Sequence, residues 1–125
     1  TSASAFEFIS GQLVDREDKE LIEKAMRIIA ENISNNEFTP QELASSLQIS
    51  IRNLYRKFEQ LNLSPPKNFI KEQRINFAAR LLVTTSLTIE EIMYQSGFMN
   101  RSHFYKEFTK RMGMAPKDYR LHNKK

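Results

Sequence analysis

A pattern that occurs twice constrains this chain more than anything else in it. Thr39, Glu42 and Leu43 recur as Thr88, Glu91 and Ile92 at an offset of 49. Ser50, Leu54, Tyr55, Arg56 and Phe58 recur as Asn100, Phe104, Tyr105, Lys106 and Phe108 at an offset of 50, and Pro66 and Phe69 follow as Pro116 and Tyr119. Helix caps, apolar positions and basic positions all repeat, whereas two unrelated amphipathic hairpins would share only their apolar spacing. The change of offset puts a one-residue insertion in the second turn, around Gly97 and Phe98, and gives Gly97 the role of a backbone position with positive φ.

Each copy reads as two short helices. Thr39 is an N-cap, Pro40 fits the first helical position, and Glu42 completes a capping box ahead of the buried face Leu43, Ala44 and Leu47. Ser50 caps the next helix, with Ile51, Leu54, Phe58 and Leu61 inward; in the second copy Thr88 to Glu91 is the capping box and Asn100 the second cap. Two such helices a few residues apart outline a helix-turn-helix. Upstream, Leu21, Ala25, Ile29 and Ile33, widened by Ile22 and Met26, predict an amphipathic helix over 18–34. Asn62 suits a left-handed helix end, and the prolines after it start a helix over 66–84. That helix carries Ile70, Phe77, Ala78 and Leu81 on one stripe and Ile75, Ala79 and Leu82 beside it, a breadth that suits packing on two bodies. Residues 1–17, with Phe6, Phe8, Ile9, Leu13 and Val14, read as a linker, docking being the alternative. No alternating stretch competes as a strand. The expected architecture is all-α, with about seven helices in a domain over 18–125: a first helix-turn-helix unit over 18–63, a linker helix over 66–84 and a second unit over 87–122.

The absence of cysteine excludes disulfides and thiolate metal sites and fits a cytoplasmic protein held by its core. Apolar runs fall far short of the roughly 18 to 20 residues that span a bilayer, so no membrane contact is expected. No catalytic cluster, cofactor motif or metal motif is visible: His103 and His122 lie far apart, and Met93, Met99, Met112 and Met114 read as core filler. His122 belongs to a frayed tail with Lys124 and Lys125. Charge is segregated. Residues 1–50 carry four Lys/Arg against nine Asp/Glu, net −5, and residues 51–125 carry fifteen against six, net +9. A basic C-terminal portion points to a polyanionic partner.

The basic residues fall on the outward faces of the second helix of each copy. Arg52, Asn53, Tyr55 and Arg56 project from one; Arg101, Ser102, His103, Tyr105 and Lys106 project from the other. A DNA major groove admits one α-helix, where Arg pairs with guanine O6 and N7, Asn with adenine N6 and N7, and Tyr packs on a thymine methyl. Ser50 and Asn100, at helix starts, are candidates for phosphate contacts. Lys57, Lys67, Lys110 and Arg111 could add non-specific charge, although each alone also reads as a solvated helix face.

From Asp18 onward the sequence resembles the C-terminal domain of the AraC/XylS family of bacterial transcription regulators. The second copy carries the resemblance most fully, in Ile89, Glu91, Ile92, Gly97, Phe98, Ser102, Phe104, Phe108, Gly113, Pro116, Tyr119 and Arg120. The middle signature is present as Ser50, Leu54, Arg56 and Phe58, then Arg74, Ala78 and Leu81. Among these regulators it is most similar to those at the end of hybrid two-component sensors. The resemblance implies double-stranded DNA at promoters or operators as partner, recruitment of RNA polymerase, and a sensor or receiver portion upstream. The chain departs from the family at Leu63, which stands where Gly precedes a Ser-Pro turn and is followed by a doubled proline, and at Met93, where Ala is usual. A linker helix of 19 residues is roughly 28 Å long, near the ~34 Å repeat of B-DNA, so two major-groove segments about 10 base pairs apart are expected. The competing readings are a helical protein-interaction module for an acidic partner, and architectural DNA binding without regulation.

Overall fold

Seven helices and one hairpin make up the described part of the protein, which in the computed structural model comprises residues 6–9 and 12–123. In chain order the elements are β1 (Phe6–Ile9), β2 (Gln12–Asp15), α1 (Arg16–Glu31), α2 (Pro40–Ser46), α3 (Ile51–Gln60), α4 (Pro66–Thr84), α5 (Ile89–Gln95), α6 (Arg101–Met112) and α7 (Pro116–Asn123). The strands depart from the expectation that no stretch competes as a strand. They pair antiparallel, Phe6 opposite Asp15 and Ile9 opposite Gln12. Aromatic and branched residues on either side of Ser10-Gly11 are a hairpin signature, but alternation over four residues is too short to register against helical spacing. The docking role considered for the side chains of Phe6, Phe8, Ile9, Leu13 and Val14 lies outside the described residues, as do Lys124 and Lys125.

Two helix-turn-helix pairs, α2–α3 and α5–α6, define the fold, which divides into two compact units. The first comprises Thr1–Glu31 with Thr39–Phe69, and the second Asn32–Phe38 with Ile70–Lys125. In the first, α1 buries Ile22, Ala25 and Ile29 of the expected stripe, while Leu21 is half-buried and Met26 is 43% exposed. The helix also ends earlier than expected, and Ile33 is buried within the second unit instead of continuing the stripe. The Thr39 hydroxyl accepts from Glu42 N at 3.2 Å and that of Ser50 accepts from Asn53 N at 3.0 Å, satisfying helix-start N–H groups that would otherwise lack partners. Leu54 and Phe58 are fully buried, and the Phe58 ring meets Phe69 edge-on at 5.1 Å.

The departure at Leu63 has a simple structural solution. Asn62 takes the left-handed conformation (φ 55°), and Leu63 N then donates to Phe58 O at 2.9 Å, closing α3. The equivalent residue in the second unit is Gly113 (φ 81°), three residues before Pro116. Asn62 is four residues before Pro66, so the doubled proline offsets an α3 shorter than α6.

In the second unit, Ile75, Ala78 and Leu82 of α4, Ile92 and Met93 of α5 and Phe104 and Phe108 of α6 form one apolar cluster. Met93 at the position of the usual Ala is accommodated there at 3% exposure. Phe77 and Leu81 of the expected α4 stripe are only half-buried. Arg120 of α7 donates to Leu82 O at 3.0 Å and Thr85 O at 3.2 Å, placing a cation against the last carbonyls of α4. His122 is part of α7, its Nδ1 2.9 Å from Asp118 O, and so is not in a frayed tail.

A buried arginine organises the connections. Arg74 is 7% exposed, and its guanidinium donates to the carbonyls of Ile33, Asn35 (2.8 Å) and Ser96 (3.4 Å), holding residues 32–38 and the α5–α6 turn on α4. Burial alone lowers its pKa from the usual arginine value, and the carbonyls supply the compensating partners that a desolvated cation requires. Gly97 sits against this group with φ +86°, and a Cβ there would overlap the Arg74 guanidinium and Ile33 O. Gln48 is its equivalent in the first unit at φ 60°, because Gln48 N to Ser45 O and Ile49 N to Ala44 O match Gly97 N to Tyr94 O and Phe98 N to Met93 O. The inserted residue of the second turn is therefore Met99. It is 64% exposed and not the core filler expected of it.

Gly97→Ala combines positive-φ strain with collision at a buried charge, so it should cost at least about 2 kcal/mol by urea unfolding. A change within about 0.5 kcal/mol, the range of ordinary surface substitutions, would contradict this account of the turn.

Candidate nucleic-acid interface

A helix with one face committed to the core has no choice about what the other face presents. With Leu54 and Phe58 at 0% exposure, α3 turns Arg52, Asn53, Tyr55 and Arg56 outward, all four exposed. In the second unit Phe104 and Phe108 are likewise at 0%, and Arg101, Ser102, His103 and Lys106 are exposed. Tyr105 differs: it is half-buried, its ring edge-on to Phe104 at 5.9 Å. The structure thus leaves each expected set outside the core, with Tyr105 at the boundary.

The two caps have different remaining capacity. Ser50 Oγ accepts from Asn53 N and keeps its O–H, whereas Asn100 accepts through Oδ1 from His103 N at 2.8 Å and keeps its amide donors. Both residues are exposed at the start of their helix, where N–H groups point outward. Lys67 and Lys110 are exposed. Lys57 and Arg111 are not simple free cations: Lys57 Nζ lies 3.0 Å from Asp18 Oδ1, and Arg111 Nε donates to Asn76 Oδ1 at 2.8 Å with Glu72 at 4.0 Å.

Glu107, the one acid on α6, was not singled out by the sequence reading. Lys71 of α4 takes it, Nζ to Oε1 3.1 Å, with the carboxylate side chain only 12% exposed, and His103 Nε2 stands 4.0 Å from its other oxygen. Together with Arg111 and Asn76 this makes a polar seam between α4 and α6 that fixes the rotation of α6 and removes a negative charge from its outer face. Burial by itself raises the Glu107 pKa, but the Lys71 hydrogen bond and the charges of Lys71, Lys110 and His103 outweigh it, so the net shift is downward. The spacing of His103 and Glu107, i and i+4, was the available signal; the partner from α4 had none.

Comparison with known proteins identifies the class. A family model described as a helix-turn-helix domain matches residues 43–122. A protein of Formosa agariphila named histidine kinase P4 is 33% identical over 102 residues, 82% of this chain and 7% of that protein. The lactose operon transcription activator of Staphylococcus xylosus is 31% identical over 101 residues, 81% of this chain and 36% of that protein. The chain thus spans well under half the length of these relatives. Among solved structures, the C-terminal domain of the two-component response regulator yesN from Fusobacterium nucleatum superposes with a TM-score of 0.70 at 31% identity, covering 81% of this chain and 98% of that one. The DNA-binding domain of AdpA, solved with a target DNA, superposes with a TM-score of 0.70 at 27% identity, covering 84% of this chain and 90% of that one. This chain belongs to the helix-turn-helix domain family, as a DNA-binding domain of the AraC/XylS type. Among the described residues no helix is long and apolar enough to cross a membrane, and no group of three or more His, Asp or Glu side chains could hold a metal ion.

Because the folded Glu107 carboxyl titrates below its unfolded value, its contribution to stability is complete above about pH 4.3 and is lost as pH falls through the lowered folded pKa. Glu107→Gln should be less stable than the parent at pH 6 in urea unfolding, and the difference should shrink towards pH 3. A difference independent of pH would remove the Lys71–Glu107 pair as its source.

Proposed function

We propose that this chain reads double-stranded DNA at promoters or operators by inserting α3 and α6 into neighbouring major-groove segments. The single observation that supports this best is the duplication of a helix whose inner face is fully buried and whose outer face carries Arg with Asn or Ser and His. Arg52, Asn53, Tyr55 and Arg56 of α3 and Arg101, Ser102, His103 and Lys106 of α6 contact base edges. Ser50, Asn100 and Lys110 contact phosphates from the helix starts and flank, and Lys57 does so by exchanging Asp18 for a phosphate.

The intact protein regulates transcription, chiefly by activation through RNA polymerase, and this segment is its binding module and not a catalytic one. The lactose operon transcription activator carries an activator name, and the solved C-terminal domain of a response regulator supports a sensor or receiver portion upstream and a place in the cytoplasm. Residues 18–125 form the DNA-binding domain within it.

Hydroxyl-radical footprinting on a duplex selected from a random pool should reveal two protected segments about 10 base pairs apart. A single protected segment would refute the two-helix reading. Affinity should fall steeply with salt, and Arg56→Ala and Arg101→Ala should each relax preference at one base pair, costing about 1 to 3 kcal/mol. If neither substitution altered binding to any duplex, the basic faces would belong to an acidic protein partner instead.

A further inference from the structure

The two units are not chemically equivalent where their recognition helices begin. Arg101 opens α6, and its guanidinium carbon lies 5.0 Å from the centroid of the Tyr105 ring while Nη2 donates to the Tyr105 hydroxyl at 3.3 Å. One helical turn separates the two residues, so they share a face. The Tyr105 ring is itself held: it packs on the apolar cluster of the second unit and stands edge-on, at 86°, to the fully buried Phe104. At the corresponding positions of the first unit stand Ile51, half-buried, and Tyr55, 41% exposed. The position four residues before that tyrosine therefore carries no cation.

We propose that Tyr105 is a positioning residue that aims Arg101 at a guanine, and that this pair makes the second unit the more discriminating of the two. The inference rests on the DNA-binding reading above and assigns a specificity determinant within it. An exposed arginine has several freely rotating bonds, and ordering it on a base edge sacrifices that freedom. Here the ring and hydroxyl order it before DNA arrives. Only one of the five guanidinium N–H donors is spent on the Tyr105 hydroxyl, leaving the fork that pairs with guanine O6 and N7. A hydroxyl between the first and second turns of α6, already bonded to Arg101 and attached to a half-buried ring, is poorly placed to read a base on its own account. The recess beside the pair is lined by Ile89, Glu90, Met93, Tyr94 and Met99.

The test selects duplexes from a random pool with the unaltered chain, Arg101→Ala, Tyr105→Phe and Tyr105→Leu, and compares base preference position by position. Arg101→Ala should erase a guanine preference at one base pair, and Tyr105→Leu should weaken preference at that same base pair about tenfold, with the double variant no worse than Arg101→Ala alone. Tyr105→Phe keeps the ring and should keep most of the preference. With the unaltered chain, 7-deazaguanine at that position, which lacks the N7 acceptor, should bind about tenfold more weakly than guanine, and Arg101→Ala should not distinguish the two. A merely structural loss would instead lower affinity for every sequence alike. The inference is overturned if Tyr105→Leu leaves the guanine preference intact, if it alters a different base pair, if its effect adds to that of Arg101→Ala, or if 7-deazaguanine binds as guanine does. If the unaltered chain enriches no duplex at all, the DNA-binding reading itself fails, which is a distinct outcome.

Discussion

Burial of two apolar residues one turn apart on a short helix is the constraint on which the rest of this structure depends. Leu54 and Phe58 commit α3, Phe104 and Phe108 commit α6, and each pair is at 0% exposure. Ten- and twelve-residue helices are marginal in isolation, so their existence and their rotation both come from this packing. Once the inner face is fixed, 3.6-residue periodicity decides which side chains are outside. Polar residues at the intervening positions then form a surface that could not be assembled from a flexible segment without a large ordering cost. The capping side chains at Ser50 and Asn100 sharpen this, since they set where each helix begins and hence which residues occupy its first turn.

A second layer of polar contacts places these helices within their units. Arg74 gathers carbonyls from residues 32–38 and from the α5–α6 turn, where Gly97 leaves room for it, and the Lys71–Glu107 and Arg111–Asn76 contacts tie α6 to α4. A buried cation satisfied by backbone carbonyls is costly to disturb, because displacing any one carbonyl leaves the charge desolvated and under-bonded. The turn before α6 is therefore held by the cation as well as by its own backbone bonds. Glu107 also lies 4.0 Å from His103 of the candidate interface, so these contacts help to orient α6 within its unit.

Much of this was legible in the sequence because it is local. The four caps, the prolines that start helices, the left-handed Asn62 and Gly97, and the inward Leu54, Phe58, Phe104 and Phe108 follow from spacing and from residue chemistry, and the repeat checked each against its copy. The misreadings share a cause, which is that tertiary contacts overrode local pattern. Ile33 continued a helical stripe on paper but packs in the other unit, and Met26 and Met99 looked apolar enough for a core yet are exposed. Arg74 was visible only through family resemblance, since no local rule predicts that an arginine in the middle of a helix is buried. The Lys71–Glu107 seam joins residues 36 positions apart and has no signature in either segment.

The central claim is that the polar faces of α3 and α6, and no other surface, meet DNA. Amide chemical shifts followed by NMR during titration with a selected duplex test it most directly. The account predicts the largest perturbations at residues 50–57 and 100–107, with α1 little affected. Perturbations centred on α1, or restricted to one of the two helices, would contradict it.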